Sequence, residues 1–246
     1  MKRIKFLSVA LVALLAVSLF SACNNDDGYR IGDIYPEALV TVKPYPDHSG
    51  CFLQLDNHTT LYPTNIKGLP YGSTPTRALI NYLAVDDDPK DCDRAVKVVW
   101  INDILTKQPV QHGAMTQQDL GNDPLEIVKD WVTLVEDGFL TLRFRTLSSG
   151  LGATHFINLV AGVNPDNPYE VHLRHNANGD VSGDTVDGLV AFDLSSLPAS
   201  INPEQTIKVV WNSFSGEKSV EFYLYGDWSN DTMTYSEKTT PSLKVE

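Results

Sequence analysis

From residue 36 onward, apolar and polar residues alternate in short runs, and turn-forming residues break the runs at short intervals. A period of two places successive side chains on opposite faces of an extended backbone. No stretch beyond the first 22 residues sustains the 3.6-residue period of an amphipathic helix. The pattern restricts the chain to all-β structure. Strands are expected at Ala38–Lys43, Cys51–Asp56, Thr59–Tyr62, Thr76–Val85 and Ala95–Leu105. After Gln111–Pro124, a polar stretch carrying Gly113, Gly121 and Pro124 that reads as an interdomain linker or boundary, they resume. The second set is Leu125–Val135, Phe139–Leu147, Thr154–Ala161, Tyr169–His175, Thr185–Leu194, Thr206–Asn212 and Val220–Tyr225. About five strands suit a small barrel such as an OB-fold, and about seven suit a sandwich. The expected architecture is therefore a small OB-like barrel (36–115) followed by an antiparallel β-sandwich (116–246).

Two details refine this. Leu140, Leu142 and Phe144 face one way and Thr141, Arg143 and Arg145 the other, as on a sheet with one face in water. The pentapeptides Val96–Trp100 and Ile207–Trp211 each place two β-branched residues and a tryptophan on one face, which reads as shared strand chemistry rather than a repeat.

The chain starts differently. Lys2, Arg3 and Lys5 precede an apolar run from Phe6 to Phe20, and small residues follow. These are the marks of a secretory signal, and the run is short of the roughly 20 apolar residues of a membrane span. Leu19-Phe20-Ser21-Ala22-Cys23 resembles a bacterial lipobox. The resemblance implies removal of residues 1–22, lipidation of Cys23 and anchorage of the remaining 224 residues to a membrane of the cell envelope. Residues 23–35 form the lipidated N-terminus and tether. Their Asn24-Asn25-Asp26-Asp27-Gly28 is a solvated linker or, as a resemblance, the surface-export signal of lipoproteins in Bacteroides-type bacteria. The net charge is −12, and loss of Lys2, Arg3 and Lys5 takes it to −15. Such a chain repels phosphate backbones, which argues against a nucleic-acid partner.

Candidate sites are few. Export permits a disulfide between Cys51 and Cys92, though spacing does not fix their distance. Asp86, Asp87, Asp88, Asp91 and Asp93 form an acidic loop; calcium is the alternative to a solvated loop, but the EF-hand spacing is absent. Asn176, Asn178 and Asp180, with Asp184 and Asp187 beyond, offer alternate oxygens, yet Asn178-Gly179 is above all a hairpin-turn signal. His172 and His175 lie three residues apart on a strand and so face opposite sides. His172 is expected in solvent, and His155, in line with Ile157 and Leu159, partly buried and hydrogen-bonded. Ser195 and Ser196 near Asp193 have no paired base in sequence, and no nucleophile elbow, phosphate loop or zinc-protease motif occurs. No metal, cofactor or catalytic residue is assigned. Tyr223 and Tyr225, with Trp228 beyond, could form a row that stacks on sugars or packs on a protein; the alternative is a ladder covered by the chain's own tail. Asp184-Thr185-Val186 and Asp231-Thr232-Met233 resemble the short O-glycosylation signal of Bacteroides-type secreted proteins, which makes Thr185 and Thr232 acceptor candidates.

Several segments in order resemble the NigD-like lipoproteins. They are the lipobox with Asp26-Asp27-Gly28-Tyr29, Val98–Lys107, Gly121-Asn122-Asp123-Pro124, His155–Val160 and Leu173–Asp180. The resemblance covers nearly the whole mature chain. It implies an N-terminal OB-like domain, a C-terminal β-sandwich and a family in which a bacteriocin-immunity role has been proposed. It supplies no agreed active site. The function expected is a non-enzymatic envelope lipoprotein that binds a protein or glycan. The alternatives are a protective or immunity protein and a hydrolase whose carboxylates meet only in the fold.

Overall fold

The computed structural model describes residues 36–224 and Val245. The signal peptide, Cys23 and its tether, Tyr225, Trp228 and Thr232 lie outside the described residues. The structure is nearly all β and holds both expected architectures.

The barrel is built from β1 (Ala38–Pro44), β2 (Cys51–Gln54), β3 (Thr60–Pro63), β4 (Thr76–Ala84) and β5 (Arg94–Asp103). It closes in the order β1-β2-β3-β5-β4, with β1 paired to β4 and only β3–β5 parallel. Closure leaves no free sheet edge, which is how so small a sheet protects its hydrogen bonds. Ala38, Val40, Val42, Leu53, Leu61, Ala78, Ile80, Val96 and Val98 fill it.

The sandwich begins sooner than residue 116. Two short strands, β6 (Thr106–Lys107) and β7 (Val110–Gln111), already belong to it, one in each sheet. Most of the stretch read as a linker therefore packs on the sandwich. It includes α1 (Gln117–Leu120), capped by Thr116 and seated through buried Leu120. Two-residue strands carry no readable period, so sequence places this boundary poorly. The remaining strands are β8 (Glu126–Val128), β9 (Leu134–Glu136), β10 (Phe139–Ser148), β11 (Phe156–Ala161), β12 (Glu170–Asn176), β13 (Asp184–Asp193), β14 (Thr206–Ser213) and β15 (Gly216–Tyr223). One sheet runs β6-β13-β10-β8, with β9 also on β10; the other runs β15-β14-β12-β11-β7. Leu140, Leu142, Phe144, Leu159, Val209 and Phe192 are among the residues that fill the space between them.

The Asn178-Gly179 turn forms, with φ of 51° and 85° and a hydrogen bond from Asp180 N to Ala177 O of 2.9 Å. Positive φ at both central residues is the type I′ signature. It does not make a hairpin, because β12 and β13 belong to different sheets.

A third cluster joins the domains. Leu39 of β1, Leu79 of β4 and Ile104 pack on Val132 and Ala191, with Trp100, Leu134 and Leu189 at its edge. Alternate residues of β1 and β4 thus serve two cores, the barrel interior and the interdomain contact. The two tryptophan pentapeptides part here. Ile207, Val209 and Trp211 do share the sandwich core, but β5 carries a bulge. Tyr82 pairs with Val98 and Asn81 with Trp100, leaving Val99 as the extra residue, 57 % exposed. One inserted residue reverses the alternation beyond it. Ile101 then packs against the barrel core, and Trp100 turns to the sandwich.

The far face of β10 is not in water either. Arg143 is buried and pairs with Asp130 and Asp187 at 2.6 Å each, while Arg145 reaches Asp187 at 2.7 Å. Thr141 lies under the barrel and accepts a hydrogen bond from Arg77 Nε at 3.3 Å. Arg77 itself is fully buried. Its other nitrogens donate to Thr41 at 2.9 Å and Glu136 at 3.0 Å, joining the barrel to β9 and β10 of the sandwich. Nearby, Lys43 pairs with Asp137 at 2.5 Å across the same junction.

Candidate functional site

The barrel opens a cleft of about 710 Å3 to solvent. Its walls are the β1–β2 loop (Tyr45, Asp47 and Ser49), the β3–β4 loop (Ile66 and Lys67) and the β4–β5 loop (Lys90 and Asp91); Cys51 and Tyr62 line it from β2 and β3. Two of these loops have local support in their own aspartates. Asp47 accepts from Ser49 N at 3.0 Å and from Ser49 Oγ at 2.7 Å, bonds that hold its carboxyl below the usual range. Asp93 accepts from Thr60 N and Oγ1, both at 2.7 Å, tying the acidic loop to β3. Asp88 pairs with Lys90 at 2.9 Å. The acidic loop therefore divides its carboxylates: Asp93 to β3, Asp88 to lysine, Asp91 to the cleft, and Asp86 and Asp87 to solvent.

Tyr45 gives the cleft its shape. Its ring packs on Phe52 at 5.6 Å, and its hydroxyl lies 3.9 Å from Cys92 Sγ. Burial first, and Cys92 second, push its pKa up to about 12. The disulfide that export would permit is not present in the structure, where Cys51 and Cys92 are both free thiols. Cys51 is buried in β2, where burial raises its thiol pKa, and Cys92 is in the β4–β5 loop against Tyr45.

A second grouping lies inside the sandwich, and residue spacing missed it. Ile157 pairs with His175, so His155, two residues before Ile157, is the diagonal neighbour of His175 across β11 and β12. The rings stack with centroids 5.1 Å apart, and His155 Nδ1 is 2.9 Å from His175 Nε2. His155 Nε2 is 3.3 Å from Asp180 Oδ2. Asp180 also accepts from Ser148 Oγ and Ser149 N, each at 2.7 Å, and these two serines hold its carboxyl far below the usual range. Burial, and secondarily the facing His155, lower His175 to about 4. The residue types resemble a hydrolytic triad, but Ser148 donates to the carboxylate rather than to a histidine, and both imidazoles are sealed from solvent.

The other candidates disperse. His172 lies on the opposite face from His175, as its spacing requires, but it is half-buried beside Glu170 rather than in solvent, with 3.6 Å between Nε2 and Oε1. Asn176 donates to the carbonyls of Gln118 and Asp119 in α1, while Asp187 holds two arginines, so the alternate oxygens of this region converge on no common point. Among the described residues no group of three or more metal-ligating side chains forms. Asp193 caps Ser195 N at 2.8 Å, and both serines are exposed. Tyr223 is exposed on β15 opposite buried Phe222. Thr185 is exposed near the start of β13.

Residues 39–104 match the NigD-like N-terminal OB domain, and residues 108–224 match the NigD-like C-terminal beta sandwich domain. Among solved structures, the chain is similar to a protein described as toxin related from Parabacteroides distasonis, at 32 % identity and a TM-score of 0.64, covering 77 % of this chain and 93 % of that one. It is also similar to a protein of unknown function from Bacteroides vulgatus, at 22 % identity and a TM-score of 0.60, covering 80 % and 94 %. A NigD-like immunity protein from Bacteroides caccae matches at 22 % identity and a TM-score of 0.52, covering 76 % and 93 %. No curated protein matches this chain.

Proposed function

Both domains place this chain in the NigD-like family, and from that premise we propose that it is a non-enzymatic binding lipoprotein of the cell envelope whose barrel cleft receives a short glycan. The observation that carries the reading is the cleft. It lies on the face and loops that OB-folds use to hold oligosaccharides and other polymers, and its volume of about 710 Å3 is in the range of ligand pockets. Tyr45 and Tyr62 offer rings for stacking on sugars. Lys67 and Lys90 line the cleft with Asp47 and Asp91, and Lys90 is also held by Asp88, so the cleft carries no excess of positive charge and suits a neutral ligand rather than an anion. Replacing Tyr62 with alanine is expected to weaken glycan binding about tenfold, equivalent to about 1.4 kcal/mol. Glycan-array screening followed by calorimetry measures this. Binding that ignores the substitution, or no binding to any glycan, overturns the reading.

A second reading keeps the cleft and changes the ligand. One similar structure is called an immunity protein and another toxin related, which supports a bacteriocin peptide as occupant. Capture of such a peptide, lost in Tyr62→Ala, would decide for it.

The anchor rests on the lipobox-like Leu19–Cys23. Among the described residues no helix is long and apolar enough to cross a membrane. The outer membrane, with the acidic residues after Cys23 directing the chain outward, is the proposed location. Cys23→Ser is expected to move the protein from the membrane to the soluble fraction, and protease shaving of intact cells reads the surface. Intact mass of the same samples tests glycan attachment at Thr185 and Thr232, expected to fall by one glycan in Thr185→Ala. Retention of Cys23→Ser in the membrane, or a glycan-free mass, sinks the respective assignment.

A further inference from the structure

The buried histidine pair has no part in the cleft, yet its geometry is demanding. His155 Nδ1 and His175 Nε2 are 2.9 Å apart, a separation that needs one proton between the nitrogens. Without a proton, two lone pairs oppose each other; with both rings doubly protonated, two N–H groups collide. Neither ring can swing to water where it stands, since His155 is 0 % and His175 1 % exposed.

The pair stands where several segments meet. Asp180, from the 177–180 turn, takes His155 Nε2 on one side and the Ser148–Ser149 strand end on the other. Gly121 packs against the His175 carbonyl, where a Cβ would come within 2.4 Å of the oxygen. Asp123 N donates to that carbonyl at 2.9 Å, and Asp123 Oδ2 accepts from Ala177 N at 2.8 Å. Gly183 sits equally tightly over the carbonyl of Ser148. The segments joined in this way present Leu151, 89 % exposed, and Val181, 52 % exposed, at one end of the sandwich.

We propose that the His155–His175 contact is an acid-sensitive pin: with one proton between the facing nitrogens it holds the 148–152 and 177–183 segments together, and a proton on each of those nitrogens releases them. The charged groups facing it are Asp180 at His155 and Asp123 beside His175. Burial and the neighbouring ring oppose a charge on His175, and the nearby Asp123 and the carbonyls of Asp123 and Pro124 offset them only in part. The sign follows. A histidine held at about 4 when folded and about 6.5 when released stabilises the closed form above pH 6.5. That contribution drains away as pH falls from 6.5 toward 4.

Hydrogen exchange of the full chain between pH 7 and 4.5, corrected for intrinsic rates, tests the pin. Protection at 148–152 and 177–183 is expected to fall at least about tenfold more than in the barrel, since each pK unit of the shift between 6.5 and about 4 corresponds to a tenfold change. In His175→Gln, which cannot titrate, that pH dependence should vanish. If the variant does not fold, nitrogen NMR of the wild-type imidazoles stands in its place, with a coupling expected across the His155–His175 hydrogen bond that disappears below pH 4.5. Protection that is flat to pH 4.5, or two imidazoles titrating independently near 6.5, overturns the proposal.

Discussion

Arg77→Ala is expected to lower the unfolding free energy by about 3–5 kcal/mol, the range for removing one partner of a buried ion pair. Arg77 has no contact with water, and its guanidinium donates to Thr41, Thr141 and Glu136. Truncation would leave Glu136 in a half-dry pocket facing Asp137, with two hydroxyls having lost their donor. Burial is the first cause of both shifts at this pair: it lowers the arginine and raises the glutamate. Both changes run against the charged forms, so the pair contributes less net energy than the loss of either member would suggest. What it contributes is register between the domains. Arg77→Met with Glu136→Leu should therefore be much less damaging than Arg77→Ala, within about 1 kcal/mol of wild type. Guanidinium unfolding followed by tryptophan fluorescence checks this, because Trp100 lies at the junction and Trp211 in the sandwich core. A loss below about 1 kcal/mol in Arg77→Ala would show that the junction has enough room and water to adapt.

Gly188→Val is the other substitution expected to be severe, at about 3 kcal/mol or more. Gly188 sits mid-strand in β13, directly across from Phe144 of β10. A Cβ there would lie 2.4 Å from the ring Cζ and 2.9 Å from Cε1. Phe144 is fully buried between Leu140, Leu142 and the facing sheet, so the ring has nowhere to go. The glycine is a space for an aromatic ring, not a turn. If so, shrinking the ring should rescue it: Gly188→Ala with Phe144→Leu is expected to recover part of the stability lost in Gly188→Ala alone. Thermal unfolding of the four chains measures the coupling, and strict additivity would refute the account.

Neither Arg77 nor Gly188 is marked in the sequence. Arg77 falls within a run that reads as an ordinary strand, and a lone glycine in a strand has several meanings. The same blindness affected Arg143 and Arg145, whose alternation with Leu142 and Phe144 is that of a half-solvated sheet. In the fold, Asp130 and Asp187 come from elsewhere in the sandwich to neutralise Arg143, and the barrel covers Thr141. For the histidines, the spacing argument correctly separated His172 from His175. The partner of His175 is 20 residues away, on a strand whose register no local pattern specifies.

What could be read directly from the chain was whatever depends on neighbours in sequence. Strand positions follow from alternation, the Asn178-Gly179 turn from the φ its residues tolerate, and the two-domain all-β plan from the number and grouping of strands. The meaning of each strand's second face could not be read this way. Alternation reports that a strand has two sides, and water, a second core or a buried ion pair can all lie against the polar one. Which of them does depends on chain segments tens of residues distant, brought there by barrel closure, by sheet pairing and by one bulge at Val99. The cleft, the Arg77 junction and the His155–His175 contact all arise at that level, because each is made of side chains that meet only once strands and loops distant in sequence have paired and packed.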